Sequence, residues 1–157
     1  MIIDITKGAD NPILRRKDNP KYGKVTKKTQ KLLKDMEDSM IAANGVGIAA
    51  TQIGINERVC HITINKNRDT FPMINPEILE YSEETETDTE GCLSLPGKWG
   101  PVERSVKVKV RFLDAKGHEQ VMIFQDFEAR IVQHEVDHLN GTLFIDHVPA
   151  GQLRDEE

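Results

Sequence analysis

The chain has 157 residues, a formal net charge of −5 and 38% hydrophobic residues, which is enough apolar surface for one core. The acidic balance argues against a nucleic-acid grip, which rests on clustered Lys and Arg, and no apolar run is long enough to cross a bilayer. Residues 1–12, MIIDITKGADNP, lack the basic start, apolar run and small-residue cleavage site of a secretory signal, so a cytoplasmic protein with reduced cysteines is expected.

In chain order, residues 26–44 place Leu33, Met36, Met40 and Ala43 at helical spacing, with Thr26 as N-cap and Gly45 as stop. The following GVGIAATQIG reads as a buried loop or irregular strand. Residues 58–64 (RVCHITI), 73–82, 105–114 and 118–127 carry β-branched, partly alternating runs, with DAKGHE as a turn between the last two. They predict antiparallel sheet. The acidic stretch 83–90, EETETDTE, reads as a solvated loop. A second helix is expected over 126–140, with Asp126 as cap and Gly141 as terminator. Nothing in the pattern marks a boundary, so residues 1–157 are read as one domain.

That second helix carries His134-Glu135-Val-Asp-His138. Two histidines four apart share a helical face and can reach one ion, and a carboxylate beside a metal-bound water can take its proton. The extended zinc-protease pattern needs a third histidine six residues after the second, but Phe144 stands there. An endopeptidase reading therefore lacks its ligand. A non-catalytic metal module would need a fourth protein ligand, and none is convincingly spaced. Cys92, between a glycine and a Pro-Gly pair in GCLSLPG, is a candidate third ligand, whereas Cys60 in an apolar strand reads as a small buried hydrophobe.

Three separated stretches, GVGIAATQ (45–52), EGCLS (90–94) and HEVDH (134–138), together resemble in order and spacing the three motifs of the peptide deformylases. The resemblance implies an α+β domain in which antiparallel sheets surround a central HExxH helix. It also implies hydrolytic removal of the formyl group from the N-terminal formylmethionine of nascent polypeptides. By position, Cys92, His134 and His138 would hold one divalent ion, natively iron(II), with nickel, cobalt or zinc as substitutes. Metal-bound water would be the nucleophile and Glu135 the general base. Gln52, through its amide, and Leu93, through its backbone N–H, would stabilise the oxyanion. Gly45, Val46, Gly47, Gly91, Phe127 and Ile131 would border the substrate cleft, and Glu90 and Arg104 would form a supporting pair. Ribosome docking through a long basic C-terminal helix is doubtful, because the tail HVPAGQLRDEE sets only Arg154 against three acids. Trp99 and Arg130 depart from the common bacterial pattern: Trp99 could stack on peptide or pack on its own loop, and Arg130 could tune specificity or lie at the surface.

Overall fold

A computed structural model describes residues 1–66 and 69–156. After a short helical turn α1 (Pro12–Arg15), the first long helix is α2 (Lys27–Ala42). Thr26 caps it as expected, its hydroxyl accepting from the Lys28 N–H while Thr29 accepts from the Thr26 N–H, an arrangement worth about 1 kcal/mol. The left-handed residue that ends the helix is Asn44, with φ 58, rather than Gly45. Leu33, Met36 and Met40 bury the apolar stripe against Ile48, Ile53, Val59 and Ile74.

The expected irregular segment is strand β1 (Gly47–Ala49) followed by a 3-10 turn over Ala50–Ile53. Strands β2 (Val59–Ile64), β3 (Asp69–Tyr81), β6 (Lys107–Leu113) and β7 (Glu119–Gln125) join β1 in one antiparallel sheet ordered β1-β2-β3-β6-β7. A second sheet holds β4 (Thr85–Cys92), β5 (Leu95–Ser105) and the two-residue β8 (Arg154–Asp155).

Strand β4 corrects the reading of 83–90 as a loop. Its threonines at 85, 87 and 89 are β-branched, and the intervening acids stay in water because the strand's first five residues are exposed. Pairing with β5, from Thr85↔Ser105 to Glu90↔Gly100, supplies the backbone partners that charge density had obscured. The tail is likewise ordered up to Glu156, Trp99 and Lys98 of β5 pairing with Arg154 and Asp155; Glu157 lies outside the described residues.

Helix α3 (Asp126–Leu139) runs against the large sheet, Ile131, Val132, Val136 and Leu139 packing with Cys60, Ile62, Met73, Val110 and Phe124. Cys60 is fully buried, as its sequence context suggested, and burial pushes its thiol pKa up. Asp126 is not the cap: Gln125 occupies that position without a side-chain bond, and Asp126 is the first helical residue at φ 56. Its own N–H is spent on the Val106 carbonyl, so the strand ladder sets the helix entry. At the other end Gly141 adopts φ 75, and a Cβ there would sit 2.6–2.7 Å from the Arg15 and Arg16 carbonyl oxygens. Only glycine fits that combination of turn and close approach.

Candidate metal centre

Helix α3 and the end of β4 meet where the three proposed ligand atoms converge. The ligand atoms of Cys92, His134 and His138 all lie within 4.8 Å of one another. His138 Nε2 is 3.3 Å from Cys92 Sγ, and the two imidazole centroids are 5.0 Å apart, as a one-turn separation on a single face requires. Position 144, where a third histidine would make a zinc protease, holds a buried phenylalanine whose ring stacks on His134 at 6.2 Å and 18°.

One thiol and two imidazoles form a donor set that suits a borderline divalent cation and leaves coordination positions open. His134 Nδ1 lies 2.9 Å from Glu90 Oε1, which directs Nε2 toward the cluster. Burial, reinforced by the neighbouring His134 and Arg104 charges, holds His138 well below the usual histidine pKa, in the neutral form that binds metal. Burial also disfavours charge on His134, but hydrogen bonds to Cys92 and Glu90 outweigh it and raise its pKa. A cation at the cluster would displace that proton. The residues present therefore fit a single divalent ion.

Glu135 lies beside the ligands and is 4% exposed. Burial lifts its carboxyl to about 7, against the lowering influence of His134, and Oε1 has no hydrogen-bond partner among the described residues. An unpartnered buried carboxyl is costly and functionally suggestive, because it can exchange a proton near neutral pH. Gln52, in the 3-10 turn, is fixed through its carbonyl oxygen, which accepts from the Ala49 N–H at 2.9 Å. Its amide nitrogen is thereby aimed at the cluster, 3.1 Å from Ser94 Oγ and 3.6 Å from Cys92 Sγ. Leu93 occupies the tight turn between β4 and β5, its side chain against Gly45.

A cavity of about 490 Å³ opens over these groups, and Gly45, Val46, Gly47, Gly91, Phe127 and Ile131 all line it. Ile131 is buried in the core as well, whereas Phe127 is 52% exposed at the cleft. A Cβ on Gly47 would come 2.5 Å from Glu135 Oε2, so the bare backbone there leaves room for the carboxylate. Trp99 packs its indole on Gly91 at the cleft rim, the second of its two sequence readings, and remains 40% exposed. A separate cavity of about 630 Å³ is lined by Lys21, Arg58, Glu77 and Arg111, without histidine or cysteine.

Beneath the site Glu90 collects two guanidinium groups. Arg104 donates to both of its oxygens at 2.9 Å, and Arg130 donates to Oε2 at 2.6 Å. Despite the burial that opposes ionisation, the hydrogen bonds from His134 and Arg104 hold the Glu90 carboxyl well below the usual range. Arg104 also reaches Asp137 at 2.6 Å, which His147 contacts at 2.9 Å. Arg130 is 8% exposed and donates to the Val102 and Glu86 carbonyls, so it is not a surface residue, and it also borders the cavity. Its bracing role was not foreseen, although a charge four residues before His134 on an apolar helix was a signal.

Comparison with known proteins agrees with this geometry. The polypeptide deformylase family model matches residues 3–153. Peptide deformylase 1 of Clostridium perfringens is 45% identical over 138 residues, covering 88% of this chain and 92% of that protein. Among solved structures, the Met-Ala-Ser-bound class I type b peptide deformylase of Acinetobacter baumannii superposes with a TM-score of 0.87 at 39% identity, covering 93% of this chain and 99% of that one. Peptide deformylase from Thermotoga maritima gives 0.88 at 36% identity, covering 94% and 98%. With its fold, its Cys/His/His cluster and these matches in agreement, the chain belongs to the polypeptide deformylase family.

Proposed function

We propose that residues 1–157 form one catalytic domain that hydrolyses the formamide of N-formylmethionyl nascent peptides in the cytoplasm, releasing formate. The observation that carries this reading is the convergence of Cys92, His134 and His138 beside a buried, unpartnered Glu135. Cys92, His134 and His138 would hold one divalent ion, natively iron(II), with nickel, cobalt or zinc able to take its place. When bound, such an ion polarises a carbonyl and acidifies water.

Glu135 accepts the proton of the attacking water at its carboxylate and later returns it to the leaving amine. Its pKa of about 7 suits both halves of that exchange. As the formyl carbon becomes tetrahedral, charge builds on its oxygen; the Gln52 amide and the Leu93 N–H are the donors assigned to it. Gln52 needs little reorganisation, because its other end is already fixed to Ala49. The apolar cleft between Val46, Phe127 and Ile131 receives the methionine side chain. Support for that assignment comes from the similar Acinetobacter baumannii enzyme, whose crystal structure holds the peptide Met-Ala-Ser.

The test is formate release from a formyl-methionyl tripeptide by protein purified without oxygen and loaded with iron(II) or nickel. Rapid release that disappears in Cys92→Ala along with the bound metal is the expected result. Folded, metal-loaded protein that releases no formate would overturn the reading.

A further inference from the structure

The two donors assigned to the developing oxyanion stand on different sheets. Gln52 follows β1 of the large sheet, whereas Leu93 lies in the turn that joins β4 to β5 of the second. Among the described residues no strand pairing joins the two sheets, so the spacing of the donors is fixed by other contacts. One is the Gln52 amide, which donates to the buried Ser94 Oγ at 3.1 Å. A single side-chain bond does not by itself hold two backbones in register.

The second contact comes from residues 3–9. The Thr6 N–H donates to the Gln52 carbonyl at 2.7 Å, and the Gly8 N–H donates to the Ser94 carbonyl at 3.0 Å. Two N–H groups with one residue between them can reach out on the same side, as alternate residues of a strand do, and span about 7 Å. Gly8 adopts φ 111, a conformation open to glycine, so this pair of bonds depends on the residue type at position 8.

Both ends of the segment are anchored. Ile3 and Ile5 pack on the core cluster that holds Ile48, Ala50 and Ile53, and the Ile3 N–H donates to Ser39 Oγ at 2.8 Å. At the other end Ala9 packs on the cluster that holds Leu95 and Val102 of the second sheet, as Cys92 does. The Ala9 carbonyl accepts from Arg15 Nε at 2.6 Å, and Arg15 is paired in turn with Asp146 at 2.6 Å. Neither Thr6 nor Gly8 lines the cavity, so neither touches a bound peptide there.

Resting on the assignment of Gln52 and Leu93 to the oxyanion, we infer that Thr6 and Gly8 are positioning residues. Their two N–H groups clamp the Gln52 and Ser94 backbones at the spacing that lets both donors meet one oxygen. Charge on that oxygen is greater in the transition state than in the bound substrate, so a displaced clamp lowers kcat and leaves KM.

Steady-state formate release by the full metal-loaded chain tests this. Thr6→Pro removes the N–H donated to Gln52, and Gly8→Ala keeps its N–H but disfavours the φ that aims it at Ser94. Each should lower kcat about 10- to 100-fold, the scale of a misplacement of about 1 Å, with KM and metal content unchanged. Thr6→Val, which retains the N–H, should match wild type. In a Gln52→Ala background Thr6→Pro should lower kcat little further, because the group it positions is already gone. A lower melting temperature with wild-type kcat, an effect confined to KM, or full additivity with Gln52→Ala would each overturn the inference. Should Thr6→Pro fail to fold, Gly8→Ala decides by the same readings. An inactive wild type would overturn the functional reading and this inference with it, whereas an active wild type with equally active Thr6→Pro and Gly8→Ala overturns this inference alone.

Discussion

Replacing Glu90 with glutamine keeps the shape of the side chain and removes the charge on which Arg104, Arg130 and His134 converge. Breaking a buried ion pair from one side costs about 3–5 kcal/mol, because the partner charge stays desolvated. Here Arg104, 6% exposed, keeps Asp137 at 2.6 Å, and Arg130, 8% exposed, keeps two backbone carbonyls. The loss should therefore fall at the low end, about 3 kcal/mol, which for a chain of this size lowers Tm by roughly 6–12 °C. His134 also exchanges a carboxylate for an amide, which should weaken metal binding about 10- to 100-fold. Urea unfolding of wild type and Glu90→Gln, with metal content measured in parallel, gives both quantities. The pH dependence fixes the cause. Because the folded Glu90 pKa lies below its ordinary 4.5, the unfolded chain takes up that proton first, and stability falls as pH drops below about 4.5. The gap between wild type and variant should thus be widest above that pH and narrow below it. A variant within about 1 kcal/mol of wild type, retaining its metal, would refute the assignment of Glu90 as the electrostatic centre.

Glu135→Gln should reduce formate release by about 10²- to 10⁴-fold while metal content is unchanged and Tm is not lowered, since Oε1 has no partner to lose; a sharply lower Tm would mean that the carboxyl is structural. Gln52→Ala should lower kcat by about 10²- to 10³-fold with metal retained, and an effect confined to KM would count against its role as an oxyanion donor. Gly91→Ala drives a methyl into the Trp99 ring and should cost about 1–3 kcal/mol, with a shift in the emission of the chain's single tryptophan. Adding Trp99→Ala in the same chain should recover most of that loss; no recovery would show that the indole is not the obstacle.

The helices were legible in the sequence because their signals are local: a threonine before an apolar stripe for α2, and a glycine after His138-Leu-Asn for α3. The two histidines and Glu135 were legible for the same reason, one helical turn fixing their relation before any tertiary contact. Strand β4 was not, because its exposed acids suit a loop equally well; only the pairing with residues 95–105 distinguishes the two, and that pairing is long-range. Asp126 failed as a cap because the strand ladder, which ends in its bond to the Val106 carbonyl, leaves Gln125 at the cap position and Asp126 inside the first turn. Arg130 is the most informative case. Four residues before His134, it lies on the face that carries the ligands, where a guanidinium cannot be buried without a carboxylate. Of the acids on the same helix, Asp126 is exposed, Glu128 accepts from the Asn65 N–H, Asp137 accepts from Arg104 and Glu135 stands beside the cluster, so the partner comes from another element. The sequence already placed Glu90 two residues before Cys92, on the segment that must reach the same histidines. A cation on the ligand helix and an acid on the ligand strand are therefore two halves of one requirement: the same carboxylate that orients His134 also neutralises Arg130, which ties the sheet carrying Cys92 to the helix carrying its partners.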